Sequence, residues 1–377
     1  MKQSHLFSIA FLFFVALCFV NCNNPDASTG INHADHTEVS ASPSAENSDA
    51  LDITMKSEVL KDFTFSPPVN YKNLQVYMIS GKTNADNIDY VTLKDAMNKK
   101  LIQINETSNV SELKLSNNSD KTIYINAGDI IRGGKQDRTL AYDMVIAPNT
   151  KGQKLASFCV EAGRWNKRGY ENVSAFSTTS NMLTSRDLKI ASKKENNQRK
   201  VWDNIEEQQD KLNSNVSYYF AADIDVKSAD SESSLELTLD NKELKEMKET
   251  YKAKFKNLVK NKTVGFAYAI NGELYNVDIY NNNRLFVDLF EKLLDAAIIE
   301  AITDLDQKQK EYNYLSLPDV ISELEKENKP EENSKTLNKR THWHSKEDDD
   351  KIVFTSLDKG NEMKWLHKNI IVKEKSE

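Results

Sequence analysis

Cysteine is scarce in this sequence. The 377 residues include three, and two of them, Cys18 and Cys22, lie in or directly after an apolar stretch near the N-terminus. The remainder of the chain contains a single thiol, Cys159, which has no intramolecular disulfide partner there. A disulfide-stabilised fold is therefore excluded, and the protein must be held together by its packed core.

Glycine and arginine are also uncommon, with 11 and eight residues respectively. Six of the glycines and four of the arginines fall between positions 128 and 169. Glycine is used where a side chain would forbid the backbone path or block a close approach. Arginine presents a planar fork that matches carboxylates and phosphates. Because the rest of the chain uses mainly lysine for positive charge, we expect this interval to be the functional centre.

Long apolar runs are missing except at residues 6–20, which follow Lys2 and are broken by Ser8. This run is shorter than the ~20 residues of a membrane-spanning helix but fits a secretory signal. Cys22 just past it is typical of bacterial lipoproteins, which are cut before the cysteine and acylated on it. The alternatives are acylation of Cys18 and a plain secretory signal cut nearby. Asn21, directly before Cys22, is a poor match to the small residue that is usual at that position. We expect a signal peptide at 1–21 and a lipid anchor on Cys22 in the cell envelope, periplasmic or at the outer membrane.

The chain is acidic, with a formal net charge of −7. This charge argues against nucleic acid as a partner. Residues 23–50 contain almost no large apolar side chain, so they cannot form a core and are expected to be a flexible tether. No second composition break suggests a linker. We therefore predict a tether over 22–62 and one folded domain over 63–377.

Alternation with period two predicts strands at 74–79, 101–104, 112–115, 122–125, 140–147 and 154–161. The connections between these strands are short, the glycine-rich loop 128–134 among them, and short connections favour antiparallel pairing. Asn271-Gly272 predicts a hairpin between strands 263–270 and 273–280. A short strand is expected at 218–220, a polar surface excursion at 326–338, and final strands at 352–357 and 364–372.

Helical spacing of apolar residues predicts the remaining elements. A short helix starts at Thr92 and runs through 99. One or two long, mostly solvated helices cover 183–212, a charged helix covers 240–260, and a well-buried helix covers 285–302. The predicted fold class is α+β, with an antiparallel β-meander core and packed long helices.

The segment 128–135 is compared with a phosphate-binding P-loop and fails on spacing. Asp129 stands where the first glycine should be, and Gln136 replaces the Ser or Thr. A looser anion site, formed by Arg132, Lys135 and Arg138 around glycine amides, remains open. The alternative is a tight turn in which Arg132 pairs with Asp129 and Arg138 pairs with Asp137.

In the strand 154–161, alternate side chains share a face, which places Cys159 and Glu161 on one side, leading toward Arg164 and Trp165. One interpretation is a pocket wall in which Glu161 orients Arg164 or Arg138. The other is a buried thiol beside a buried salt bridge. For Cys159 we favour a buried thiol, since no histidine lies nearby in the sequence to activate it.

A metal site is considered at His342 and His344, which would share one face of a strand ahead of Asp348, Asp349 and Asp350. Two imidazoles do not make a zinc site, and no third ligand has recognisable spacing. His367 lies in a strand-like run and is interpreted as a structural histidine. We therefore expect neither a metal nor another cofactor.

Two motifs carry a resemblance to a known family: Gly128-Asp129-x-x-x-Gly133-Gly134-Lys135-Gln136-Asp137-Arg138 and Cys159-Val160-Glu161-x-Gly163-Arg164-Trp165. They resemble the ARG and rhodanese–phosphatase-superfamily-associated protein domain of bacteria and archaea. Further similarity lies at 90–93, 201–202, 264–267, 293–294 and 365–368, so the resemblance covers roughly 70–375. The family has no established activity. Its name implies genomic association with ADP-ribosyl and phosphatase-type enzymes, which hints at a nucleotide-like or phosphorylated ligand.

We expect a non-catalytic binding or interaction domain that holds an anionic small molecule or a carboxylate-bearing protein partner. The candidate ligand contacts are Asp129, Arg132, Lys135, Gln136, Arg138, Glu161, Arg164 and Trp165. One alternative is a hydrolase of a phosphorylated or nucleotide-like substrate, with Asp129 and Glu161 as acid and base. The other is a purely structural envelope protein whose motifs stabilise the fold.

Overall fold

The computed structural model describes residues 60–374, apart from positions 86, 108, 165–167, 310 and 327. The expected signal peptide, the anchor Cys22, most of the tether and Trp165 lie outside the described residues. In the part of the chain that is described, no helix is long and apolar enough to span a membrane.

The described residues contain eighteen strands. They are β1 (Phe63–Phe65), β2 (Val69–Tyr71), β3 (Leu74–Gly81), β4 (Tyr90–Thr92), β5 (Ile102–Glu106), β6 (Glu112–Asn117), β7 (Thr122–Ile125), β8 (Asp129–Gly133), β9 (Arg138–Leu140), β10 (Met144–Ile146), β11 (Gln153–Cys159), β12 (Phe176–Met182), β13 (Thr263–Ile270), β14 (Glu273–Tyr280), β15 (Glu331–Thr336), β16 (Thr341–Glu347), β17 (Lys351–Asp358) and β18 (Lys364–Val372).

Seven α-helices are also described. They are α1 (Leu93–Asn98), α2 (Arg186–Lys193), α3 (Gln198–Phe220), α4 (Leu235–Leu239), α5 (Lys242–Lys252), α6 (Asn283–Thr303) and α7 (Leu317–Glu325). The mixture of helices and largely antiparallel sheets confirms the predicted α+β class.

The strands form three sheets. The largest has nine strands in the order β1-β3-β13-β14-β18-β17-β16-β15, with β2 also paired to β3, and its pairs are antiparallel. A six-stranded sheet has the order β12-β8-β9-β11-β6-β5. A three-stranded sheet has the order β10-β7-β4, in which β4 pairs parallel to β7. Strand order therefore departs from sequence order, since β11 lies between β9 and β6.

Several elements follow directly from local sequence. Thr92 caps α1 by accepting a hydrogen bond from the Asp95 backbone N–H at 3.3 Å. The predicted hairpin is present with the predicted strand bounds, because Asn271 and Gly272 both adopt positive φ, 54° and 82°, as its tight turn requires. Helix α6 buries most of its residues and packs against β13, β14, α3 and α5. Each large apolar side chain buried there contributes about 1.5–3 kcal/mol.

Other predictions are corrected by tertiary contacts. The segment predicted as a glycine-rich loop contains β8, because residues 129–133 pair with β9 and β12. Residues 218–220 continue α3 to its left-handed cap at Ala221 instead of forming a strand. Residues 331–336, predicted as a surface excursion, form the exposed edge strand β15, while α4 and α7 are additional helices.

The segment 183–212, predicted as one or two long, mostly solvated helices, forms the short α2 and most of the long α3, but α2 is not a solvated helix. Its Lys189 and Lys193 are both buried. Lys193 Nζ donates to Asn369 Oδ1 at 2.8 Å, so the lysine is compensated by a polar group inside the fold. Sequence patterning cannot anticipate this, because a lysine on a helix is usually solvated.

Candidate functional site

The two predicted motifs meet in the fold. One forms the turn between β8 and β9, and the other follows the end of β11. Gln136 Nε2 donates to the Glu161 carbonyl oxygen at 2.7 Å, and the Asp137 backbone N–H donates to Glu161 Oε2 at 3.1 Å. Arg164 donates to the carbonyl oxygens of Gly134 and Gly133 at 3.3 and 3.4 Å. The expectation that both segments build one site is therefore consistent with the geometry.

The base of the site consists of two fully buried carboxylates, Asp137 and Glu161. Arg168 bridges them, with Nη2 at 3.0 Å from Asp137 Oδ2 and Nη1 at 3.2 Å from Glu161 Oε1. Arg164 Nε lies 2.7 Å from the same Glu161 oxygen. Ser234, which caps α4, donates its hydroxyl to Asp137 Oδ2 at 3.0 Å. The buried carboxylates therefore hold the guanidinium groups of Arg164 and Arg168 in place.

The two carboxylates respond differently to burial. Burial raises the pKa of Asp137 above its ordinary value, although the nearby Arg168 opposes the shift. Burial also acts to raise the pKa of Glu161, but hydrogen bonds from Arg164 and Ser231 outweigh it and hold that pKa below its ordinary value. Glu161 is therefore the more firmly ionised anchor of the arginines.

Above these carboxylates lies the arginine depression, about 700 Å³ in volume. It is lined by Arg132, Arg164, Arg168, Gly169, Tyr170, Glu171 and Asp230. Arg132 is the most exposed of its arginines, with 35% of its side chain accessible. Its Nε donates to Glu171 Oε1 at 2.6 Å, and its Nη1 lies 3.4 Å from Asp240 Oδ2. Three planar guanidinium groups therefore converge on one hollow.

Two other predicted contacts, Arg138 and Lys135, do not face this depression. Arg138 pairs across the strands with Cys159 and is fully buried. Its Nη1 lies 2.7 Å from Cys159 Sγ, and its Nη2 lies 3.5 Å from Glu106 Oε1. Lys135 has an exposed side chain, and its backbone N–H donates to Glu106. The proposed pairings of Arg132 with Asp129 and of Arg138 with Asp137 are wrong, because the β8–β9–β11 register supplies other partners.

Cys159 is buried, as predicted for a thiol within the fold. Burial raises the pKa of its thiol to about 11, and the adjacent Arg138 only partly offsets this. The thiol is therefore protonated at neutral pH and unreactive as a nucleophile.

Asp129 lies at the other end of β8, in a separate cavity of about 280 Å³. Its Oδ1 is 2.6 Å from Lys292 Nζ. Glu161 lies beyond the opposite end of β8, where it bonds the backbone of Asp137 in the turn after Gly133. The strand between residues 129 and 133 spans roughly 13 Å. The structure therefore does not bring Asp129 and Glu161 together as an acid–base pair.

The histidines lie in unrelated surroundings. His342 Nδ1 is 3.2 Å from Thr336 Oγ1, and His344 Nε2 is 3.4 Å from Glu332. Within the described ranges there is no group of three or more His, Cys, Asp or Glu side chains suited to a metal ion. His367 is buried between Asp143 and Asp278, which agrees with its interpretation as a structural residue.

Several residues of the site were not among the predicted contacts. Arg168 belongs to the arginines enriched between 128 and 169, whereas Glu171, three positions further along, had no signal of its own. Ser234 and Asp240 carried no sequence signal. They cap the two ends of α4, more than 60 positions further along the chain than the motifs, and contact Asp137 and Arg132. Trp165 lies outside the described residues, so its predicted contact stays a prediction.

The family model of the ARG and Rhodanese-Phosphatase-superfamily-associated Protein domain aligns with residues 62–371, which include both motifs and nearly all of the described fold. No significant match to a curated protein or to a solved structure was found. The chain belongs to the ARG and Rhodanese-Phosphatase-superfamily-associated Protein domain family.

Proposed function

We propose that this protein is a lipid-anchored cell-envelope protein whose domain binds an anionic ligand in the arginine depression. The ligand bears a phosphate or carboxylate group, on a small molecule or on a protein partner. The observation that carries this proposal is the convergence of Arg132, Arg164 and Arg168 on one hollow. Guanidinium forks recognise such groups through paired, charge-assisted hydrogen bonds.

The arginines differ in how firmly they are held, and this supports a binding role. Arg164 and Arg168 are fixed by buried Glu161 and Asp137, so they lose little conformational freedom when a ligand arrives. Arg132 sits at the mouth, where Glu171 holds its Nε at 2.6 Å, whereas the 3.4 Å contact of its Nη1 with Asp240 is long and partly exposed. Such a contact contributes about 0–1 kcal/mol, so an anion can replace it at small expense.

The same contacts favour binding over hydrolysis. Asp137 and Glu161 are engaged beneath the arginines, and Asp129 lies in a different cavity. General acid–base catalysis requires a carboxyl group within hydrogen-bond reach of the reacting atoms. The carboxylates at the base of the depression are instead placed to orient arginines.

A purely structural role is separated from binding by comparing two arginine variants. Arg132→Gln removes the exposed guanidinium at the mouth and leaves the buried carboxylates paired. Arg168→Gln removes the bridge between Asp137 and Glu161 and so weakens the fold itself. If the domain binds an anion, Arg132→Gln lowers affinity while stability is nearly unchanged.

The experiment is calorimetric titration of the full-length protein with pyrophosphate, a nucleoside diphosphate, a phosphosugar and a carboxylated peptidoglycan fragment. We expect at least one anion to bind and Arg132→Gln to weaken it about tenfold, which corresponds to about 1.4 kcal/mol. Arg199→Gln is the matched control, since Arg199 is exposed on α3 and bonds Asp203. Absence of heat from every anion, or equal losses in Arg132→Gln and Arg199→Gln, rejects the proposal.

A further inference from the structure

A third cavity, of about 620 Å³, lies where the C-terminal end of α6 meets α2, α3 and the β13–β14 hairpin. We call it the α6 cavity and define it by Arg186, Lys211, Tyr275, Glu300 and Asp304. Its volume lies within the range of small-molecule sites. Its described lining residues are all different from those of the arginine depression.

Two carboxyl groups are held in fixed positions at this cavity. Glu300, with 1% of its surface exposed, accepts hydrogen bonds from the Tyr268 hydroxyl at 2.5 Å and from the Arg186 backbone N–H at 2.6 Å. Asp304, one helical turn further along, accepts a hydrogen bond from the Tyr275 hydroxyl at 3.1 Å. Donors from α2, β13 and β14 therefore position both groups before any ligand arrives.

The position of these carboxyl groups opposes the helix dipole. The C-terminal end of a helix carries partial negative charge and normally attracts cationic side chains. The last turn of α6 contains no basic residue. Glu300 lies in it instead, and Asp304 caps the helix, so the negative charge of the carboxylates adds to that of the helix end. A bound cation would relieve this repulsion.

The other residues that line the α6 cavity do not neutralise this negative charge. Six acidic residues line the cavity against two basic ones, Arg186 and Lys211. Lys211 Nζ is 2.8 Å from Glu207 and 3.9 Å from Asp304, so its charge is already shared. The Arg186 guanidinium stacks on the Tyr275 ring, 4.1 Å from its centroid. The cavity is therefore short of positive charge.

The titration behaviour of the two groups agrees with this shortage. Burial raises the pKa of Glu300 to about 7, against the opposing effect of Lys189. Burial also raises the pKa of Asp304, although Lys211 opposes the shift. Both groups would ionise more readily with a cation beside them.

The walls identify the kind of cation. They carry amide and hydroxyl groups, including those of Asn204, Gln208, Ser214 and Thr303, so an apolar ligand is disfavoured. Among the described residues no cluster has the arrangement of a metal site. The lining therefore suits an organic cation with further hydrogen-bonding groups.

We propose that the α6 cavity binds a small, hydroxyl-bearing primary amine, with the ammonium group between Glu300 and Asp304. Glucosamine is the probe that represents this class, and glucose is its uncharged counterpart. Putrescine tests whether the ammonium group suffices without hydroxyl groups.

The test is calorimetric titration of the full-length protein at pH 7, where most of the glucosamine is in its ammonium form. We expect glucosamine to bind, glucose to bind at least tenfold more weakly, and putrescine to bind more weakly than glucosamine. Asp304→Asn should weaken glucosamine at least tenfold. Asp203→Asn is the matched control, because Asp203 is exposed on α3 and bonds Arg199.

Lys211→Gln should change the affinity for glucosamine in the opposite direction. This result can be obtained even if Asp304→Asn does not fold. The lysine side chain is 48% exposed, and removing it deletes an internal competitor for Asp304. We expect glucosamine to bind several-fold more tightly to this variant. The proposal is overturned if glucosamine does not bind, if glucose or putrescine binds equally well, or if Lys211→Gln weakens binding.

Discussion

Replacing Asp143 by asparagine should reveal how much a buried charge cluster stabilises this fold. Asp143 Oδ2 lies 3.0 Å from His367 Nδ1, and Asp278 Oδ1 lies 2.9 Å from His367 Nε2. The imidazole stacks on Tyr280 with ring centroids 4.1 Å apart. All three charged residues are buried. The variant keeps the shape of the side chain and removes one charge.

The magnitude follows from the pKa values. Burial acts to raise the pKa of Asp143, but His367 outweighs it and lowers that pKa from 3.8 to about 2. This shift corresponds to about 2 kcal/mol of stability. Because the folded-state pKa is the lower one, this stability is present above pH 3.8 and is lost as pH falls toward 2. About half of it should remain at pH 3.

The two aspartates also act on His367. Burial tends to lower the pKa of His367, yet Asp143 and Asp278 together raise it above 6.5. The stability contributed by the imidazolium is therefore fully present below pH 6.5 and is lost as pH rises through the folded-state pKa. Removing the Asp143 charge should lower the pKa of His367 as well.

The assay is urea unfolding between pH 3 and pH 8, together with an NMR titration of the His367 ring. We expect Asp143→Asn to lose about 2–3 kcal/mol at pH 6 and less at pH 3. Asp120→Asn, in the exposed turn after β6, is the control and should change stability by less than about 0.5 kcal/mol. Equal stability of wild type and Asp143→Asn at pH 6, or an unchanged His367 pKa, would refute the reasoning.

Three further changes test other parts of the fold by the same unfolding assay. Gly133→Ala should lower the free energy of unfolding by about 1–3 kcal/mol, because φ is +114° and the new Cβ would lie 3.0 Å from the Ala175 carbonyl oxygen. An unchanged free energy of unfolding would contradict this. Arg168→Gln should lose about 3–5 kcal/mol by leaving buried carboxylates underpaired, whereas a loss below 1 kcal/mol would show that they do not depend on it. Glu300 should lower wild-type stability by up to about 3 kcal/mol as pH rises from 4.5 to about 7, since its folded-state pKa is the higher one. Glu300→Gln should reduce the fall by about that amount, while Glu236, whose pKa burial raises to about 8, still contributes a fall of the same sign; an unchanged slope would exclude Glu300 as a source.

Local sequence determined much of the secondary structure. The Asn271-Gly272 turn, the Thr92 cap and the apolar spacing of α6 depend on residues a few positions apart, so they are readable without the fold. The two central motifs also identified the interval that builds the arginine depression, and Arg132 and Arg164 do line it. Their residue types are the basis of the proposal that the depression binds an anion.

Only the tertiary structure decided which way the other side chains face. Strand register puts Arg138 opposite Cys159 and buries it, while Asp129 is carried to a different cavity. A shift of one residue in pairing would reverse these faces, and sequence alternation alone does not fix the partner strand.

The buried networks depend on the same long-range pairing. His367 meets Asp143 across 224 positions, and Glu300 meets the Arg186 backbone across 114. Neither pair leaves a local signal, because composition and periodicity report only a residue's neighbours along the chain. The sequence by itself determined most of the helices, the tight turns and the charge types, whereas the packing of sheets and helices decided which charges meet, since that depends on contacts between distant segments.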